Sequence, residues 1–392
     1  MQKKKNRKMN AIRKMKIFIL IVLAAAVILC QVNDSLVKET DSPGNETVTS
    51  DIVNEAEATP SEDILFSVQL DEKWGYIDST GKFVIRPQFD DAYNFSDNGL
   101  ALVQMGDKWG YIDKTGSYVI ESQFDRAAPF LENGLARVGN EDLEEGTEKY
   151  GYIDSTGSYV ISPQFDDIWG FAEDDLAVAK IGGKYGYIDK TGTYIIQPQF
   201  DYANPFSENG LAAVKSGDKY GYIDKTGVFT IDPQFDDAFK FSGNGLAKVR
   251  SDNKFGYIDK TGSYVIAPRF EYAYSFAENG LALAQSGDIT DDTEAYGYID
   301  ERGSFAIEPK FKFAYSFSEN GLASVQMGDK WGCIDKTGSY VIPPLFDDIF
   351  PFNDDGYAVV RVGQKYGIIN EKGKCVIEPM FDNIILAAIS LE

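Results

Sequence analysis

An aromatic residue followed by glycine recurs nine times along this chain, at Gly75, Gly110, Gly151, Gly186, Gly221, Gly256, Gly297, Gly332 and Gly367. The spacings are 35, 41, 35, 35, 35, 41, 35 and 35 residues. Self-similarity at a fixed period constrains a fold more tightly than propensity does, because each unit must find its hydrophobic cover in its neighbour. One unit begins Lys73-Trp74-Gly75-Tyr76-Ile77-Asp78, continues through Gly81, Phe83-Val84-Ile85, Pro87 and Phe89-Asp90, and ends at Asn98-Gly99-Leu100-Ala101.

Three strands are predicted in each unit. Trp74–Asp78 and Phe83–Ile85 flank the segment 78–81, where Asp bonds its own backbone and Gly supplies the left-handed residue that closes a hairpin. Leu100–Gln104 makes the third strand. Pro87 and its counterparts Pro163, Pro198, Pro233, Pro268, Pro309, Pro344 and Pro379 are expected to end the second strand, since proline cannot donate to a ladder. Trp74 and Tyr76 share one face while Ile77 takes the other, so both faces of the sheet need cover, and the adjacent repeat is the natural source. The position of Leu102 holds Arg137, Val178, Ala213, Lys248, Leu283, Ser324 and Val359 in other copies, which predicts a solvent-facing site. A glycine flanked by aromatics inside a strand requires a reason, and the expected one is a neighbour's ring lying over the backbone.

These motifs resemble the bacterial WG-repeat family, also called KWG repeats, across residues 65–392. Tyr or Phe replaces Trp in six copies, Cys333 and Ile368 replace the second aromatic, and Ser122 replaces a proline. The resemblance implies a tandem β-rich array, often exported, and no shared catalytic activity. The fold class expected is therefore all-β, an array of three-stranded antiparallel units wound as an open superhelical solenoid. Propellers typically have four to eight four-stranded blades, so a closed propeller-like ring is the alternative. The repeats begin at a third strand and stop just before it recurs, which suits a closed ring as well.

Residues 1–16 carry eight Lys/Arg and no acid, and an uncharged apolar run follows from Ile17 to Cys30. This is the layout of an export signal. At 14 residues the run is short beside the ~20 that a free-standing span requires. Residues 1–32 are assigned to an export signal or N-terminal membrane anchor. Ala24-Ala25-Ala26 offers a cleavage site, Cys30 a lipidation site despite the preceding Leu29, and an uncleaved segment a membrane association. Residues 33–62 have no aromatics and many acidic and hydroxyl side chains, the composition of a disordered acidic linker. Residues 63–392 hold the nine repeats, exported and either secreted or membrane-anchored outside the cytoplasm.

The formal charge is -23, and beyond residue 16 there are 30 bases against 61 acids. Such a surface repels nucleic acid. The chain has no histidine, which removes the commonest general base and the usual zinc ligands. The pairs Asp90-Asp91, Asp166-Asp167, Asp236-Asp237 and Asp347-Asp348 recur at one phase of the repeat, as turn residues do and a unique catalytic pair does not. Asp78-x-x-Gly81 lacks the alternating acids and distal Glu of a calcium loop. Cys333 and Cys375 stand at repeat positions as buried small apolar residues without a base. Two acidic insertions, 141–148 and 288–294, fall at the same phase four repeats apart and are expected to be solvated hairpin tips. No catalytic residue, cofactor or metal is indicated.

The aromatic of each WG pair is assigned to the core. A second aromatic position is tolerant: Tyr93, Trp169, Phe239, Tyr274, Tyr315 and Phe350 occupy it, whereas other copies have Ala128, Asn204 and Ile385. That tolerance marks a partly exposed row, the candidate ligand-facing aromatics of the chain. A non-catalytic scaffold that binds a protein partner is the expected function, with a cell-wall glycan as the alternative ligand.

Overall fold

The computed structural model describes residues 64–142, 147–169, 171, 176–286 and 295–386. The segments assigned above to export and linker, with Cys30, lie outside these residues, as do the tips of both acidic insertions. Strand β1 (Leu65–Leu70) pairs antiparallel with β2 (Lys73–Asp78), and β2 with β3 (Phe83–Phe89). The next sheet is β4 (Asp91–Phe95), β5 (Ala101–Met105), β6 (Lys108–Ile112) and β7 (Tyr118–Phe124), hydrogen-bonded in that order. Nine such sheets follow one another, each a blade of a ring.

Each blade has a short first strand that the three-strand expectation lacked. In blade 2 it is β4; in blades 3, 4, 5, 8 and 9 it is a two-residue segment such as Tyr202–Ala203. In blade 7 it shrinks to the bridge Ala273↔Ala284. Few residues and no alternation of its own make this strand invisible to periodicity.

The ring is closed. Blade 1 begins at its second strand, β1, and the C-terminal strand Asn383–Ile385 fills the vacant first place through the registers Ser67↔Ile385, Val68↔Ile384 and Gln69↔Asn383. The architecture is thus a nine-bladed β-propeller, the alternative stated above, and the open solenoid is overturned. The physical reason is the cost of two free ends: closure pairs the edge of β1 and buries Phe66, Val68, Ile77, Ile368, Phe381 and Ile384 in one cluster.

The WG glycine sits under backbone, not under a ring. Trp74 pairs with Phe89 and Tyr76 with Ile85, so residues 86–88 bulge opposite Gly75 alone. A Cβ on Gly75 would lie 2.6 Å from the Ile85 carbonyl oxygen and 2.6 Å from the Pro87 nitrogen. Pro87 accordingly lies within the last strand, in its bulge, where no ladder donor is needed. That strand is a sheet edge, and the row through Val84, Val119, Val160, Ile195, Val265 and Val341 is exposed rather than covered.

Blades pack face to face. Leu102, Tyr111, Ile120 and Phe124 of blade 2 meet Ala136, Val138 and Ile153 of blade 3, and the pattern repeats around the ring. Leu102, Val178, Ala213, Leu283, Ser324 and Val359 are buried, so this position faces the next blade and not solvent. Its variety in size reflects what lies opposite. Arg137 and Lys248 fit because their heads reach the carbonyls of Ile168 and Ala273 in the next blade, both at 3.1 Å.

Two polar contacts recur at the junctions between blades. The buried tyrosine of the motif donates its hydroxyl to a carbonyl in or directly after the following blade's first strand: Tyr76 to Tyr93 at 2.7 Å, Tyr111 to Ala128 at 2.7 Å, and likewise Tyr152, Tyr187, Tyr222, Tyr257 and Tyr298. Where Cys333 replaces it, the Ser324 hydroxyl stands 3.4 Å from the same carbonyl, that of Phe350. The second contact joins the motif lysine to the acid at the crossing between blades. Lys149 meets Asp166 at 2.6 Å, Lys330 meets Asp347 at 2.6 Å, and Lys73–Asp90 and four more copies do the same. Lys365–Asp382 extends the series. The acid also caps the next blade's hairpin, as when Asp90 accepts the Gly106 N–H at 2.8 Å. The first acid of each pair is therefore scaffolding, at a blade crossing rather than in a turn. The Asp78 turn is as expected, with Oδ1 accepting the Thr80 and Lys82 amides at 2.9 and 3.0 Å.

Two outcomes follow from these contacts. Gly221→Ala, whose Cβ would fall 2.5 Å from the Ile231 carbonyl, is expected to destabilise the ring by about 1–3 kcal/mol, the range for overpacking, read as a lower urea midpoint. Lysine and amide contacts hold Asp90, Asp201 and Asp236 below the usual carboxylate range. A depressed folded value gives stability that is present above the unfolded value near 3.8 and is lost as pH falls through the folded one. Asp201→Asn should therefore lower stability at neutral pH and flatten its loss below about pH 4, measured by circular dichroism during acid titration. An unchanged acid profile would refute the linkage.

Candidate binding surface

The six aromatics singled out from sequence, Tyr93, Trp169, Phe239, Tyr274, Tyr315 and Phe350, all lie in or directly after the first strand of a blade. Because the ring is closed, one position per blade traces a circle around it. Tyr93, Trp169 and Phe239 are half-buried, whereas Tyr274, Tyr315 and Phe350 are exposed. The rings rest on the aromatic of the WG pair: Tyr93 on Trp109 at 5.8 Å, Trp169 on Tyr185 at 5.3 Å and Tyr315 on Trp331 at 5.4 Å between centroids.

Two residues earlier, on the same face by strand alternation, lies a second row, of which the sequence showed the paired acids but not the shared face. It reads Asp91, Arg126, Asp167, Tyr202, Asp237, Tyr272, Phe313, Asp348 and Asn383. Recognising the short first strand would have found it, because each member stands across the ladder from one residue of the second strand. The pairs include Asp167↔Lys180, Tyr202↔Lys215, Asp237↔Arg250, Phe313↔Gln326 and Asp348↔Arg361. The Gln285 amide donates to the Tyr272 carbonyl at 3.0 Å in the same place.

This pattern gives the ring two chemically different sectors. In blades 3 to 6 a cation stands over the WG-pair ring: Arg137 over Tyr150 at 4.4 Å, Lys180 over Tyr185 at 5.1 Å, Lys215 over Tyr220 at 5.7 Å and Lys248 over Phe255 at 5.2 Å. Lys248 also lies 3.8 Å from the Phe239 ring centre and 5.6 Å from that of Tyr274. In blades 7 and 8 the corresponding positions hold Leu283, Gln285, Ser324 and Gln326. There Tyr272 and Phe313 replace the acids and are about half exposed, at 50% and 52%. The motif lysine and its acid are lost together in this sector, as Ala295 and Lys312. A cavity of about 500 Å³ opens here, lined by Tyr274, Leu283, Tyr296, Phe313, Tyr315 and Trp331 among others, none of them charged.

Titratable groups elsewhere are committed to the scaffold. Burial pushes the Cys333 thiol up to about 12, so it stays protonated and poorly nucleophilic. Cys375 is only half-buried, less than expected, and packs against the cluster around Ile342 and Phe346. Burial raises the Asp91 and Asp348 carboxyls, while Arg361 lies 3.8 Å from Asp348. Among the described residues no three metal-ligating side chains converge.

The crystal structure of a eukaryotic initiation factor shares this fold, with a TM-score of 0.61 and 13% identity over 82% of this chain and 97% of that one. The structure of Kluyveromyces lactis Hsv2p matches at a TM-score of 0.34 and 10% identity, over 52% of this chain and 73% of that one. A Dos1 propeller matches at 0.34 and 14%, over 57% and 72%. No curated protein matches in sequence. The family model described as WG containing repeat matches nine times in tandem, at 74–109, 109–143, 150–185, 185–220, 220–255, 255–288, 296–331, 331–366 and 366–385. Those nine matches cover most of the chain, which belongs to the WG-repeat family.

Proposed function

We propose that the chain is an exported, non-catalytic scaffold whose propeller binds a protein partner outside the cytoplasm. The observation that carries this reading is where the repeat breaks. Side chains that recur are spent on joining blades: tyrosine hydroxyls on carbonyls, lysines on acids, glycines under backbone. Tyr272 and Phe313 depart from the repeat, and with the exposed Tyr274, Tyr315 and Phe350 of the tolerant row they gather in blades 7 to 9. Exposed aromatics grouped on one patch are what binding surfaces use, since a ring buries much area at low entropic cost. The basic start and apolar run of residues 3–30 support export. A neutral cell-wall glycan is the second reading, because sugar faces also stack on such rings.

The test places a photo-crosslinking amino acid at Tyr315, and in a control at Val84, in full-length chain expressed in a bacterial host with a cell envelope. A discrete crosslinked protein is expected from the Tyr315 position and not from Val84, in chain accessible to protease added outside the cytoplasm. Recovery of the chain in the cytosol would overturn export. Capture by a glycan array with no protein crosslink would replace the first reading with the second.

A further inference from the structure

We propose that the cavity in blades 7 and 8 is a cage for a lysine ammonium group presented by a basic segment of the partner. The inference deepens the partner-binding reading and rests on it. Its basis is a precedent inside the ring. At the junction of blades 6 and 7 the rings of Phe239, Phe255 and Tyr274 surround the ammonium of Lys248 at 3.8, 5.2 and 5.6 Å. One repeat further on, the same three positions are Tyr274, Tyr296 and Tyr315, and all three line the cavity. The residue that would fill it from within is Leu283, at the position of Lys248. The cage is therefore kept while its internal cation is missing.

Three further observations favour a cation over other occupants. Phe313 and Trp331 add two further rings to the lining on the blade 8 side, and the face of an aromatic ring attracts a cation. Gln326 lies in register between Phe313 and Trp331, and its Oε1 is buried without a hydrogen-bond partner, as is that of Gln285. No cation of the protein stands at this position, where blades 4 to 6 have Lys180, Lys215 and Arg250. Lastly, a net charge of -23 draws cations and repels anions over the whole surface. A lysine is the chosen source because the occupant of the equivalent cage is a lysine side chain.

Calorimetric titration of full-length chain with tetralysine amide tests the proposal, with choline and chitohexaose as separate titrants. Tetralysine is expected to bind. Leu283→Lys, which inserts the ammonium that Lys248 supplies one blade earlier, should weaken it about tenfold, the equivalent of one desolvated cation–π contact. Tyr315→Ala should weaken it similarly by opening the cage and remains informative should Leu283→Lys misfold. Val84→Ala, on the exposed last strand of blade 1, should leave it unchanged. Equal affinities for wild-type, Leu283→Lys and Tyr315→Ala chains would reduce the binding to surface charge and overturn the cage. Binding of choline or chitohexaose without tetralysine would overturn the lysine assignment while leaving a binding scaffold intact. So would a natural partner that crosslinks at Tyr315 yet binds Leu283→Lys undiminished.

Discussion

The close approach at the WG glycine is the contact on which the ring depends. The last strand of each blade pairs at Phe89 with its own sheet and two residues later, at Asp91, with the next. No linker separates the two pairings. The chain can pass between blades so abruptly only because the bulge at residues 86–88 crosses directly over Gly75. Any side chain there would push the crossing strand away from its register with both sheets.

Once the crossing is made, the blades are held by repeated small contacts rather than by one core. Each tyrosine of the motif is buried with its ring against the following blade's phenylalanine, as Tyr76 against Phe95 at 4.9 Å, and its hydroxyl on a carbonyl of that blade. A hydrogen bond of this kind is worth about 1 kcal/mol net, and leaving the hydroxyl unpaired would cost more. The substitution of Cys333 is accordingly accompanied by Ser324, whose hydroxyl lies within reach of the orphaned carbonyl. The last junction, between blade 9 and blade 1, has Ile368 in place of the tyrosine, so apolar packing and the Lys365–Asp382 contact hold it without the hydroxyl. The exposed lysine–acid contacts add register more than stability, since ion pairs at that exposure are weak.

Against this uniform scaffold, blades 7 and 8 differ by a coordinated set of replacements. Acid becomes aromatic at Tyr272 and Phe313, cation becomes neutral at Leu283, Gln285 and Gln326, and the lysine–acid contact disappears at Ala295 and Lys312. The first two changes remove charge from one side of the ring, and the third exchanges a lysine for Ala295 and an acid for Lys312, while the surrounding protein stays strongly acidic. A neutral aromatic patch in an acidic field is an asymmetry that nine identical repeats would not have.

Much of this was legible in the chain alone. The period, the all-β class, the Asp78–Gly81 hairpin and the covering of one repeat by the next follow from residues that interact within about 35 positions of each other, and periodicity records such contacts directly. The tolerant aromatic row could be listed from residue identities, although its place in the first strand could not. What only the tertiary structure decided depends on contacts that no local pattern encodes. Closure joins Ser67 to Ile385, and sequence spacing is silent on whether two distant ends meet. The position of Leu102 resembles a solvent site because it accepts Lys and Arg, yet the next blade covers it. The cage in blades 7 and 8 combines residues from strands that meet only when adjacent blades stack. Its meaning comes from comparing that junction with its neighbour in blade 6, where a lysine already occupies the same space.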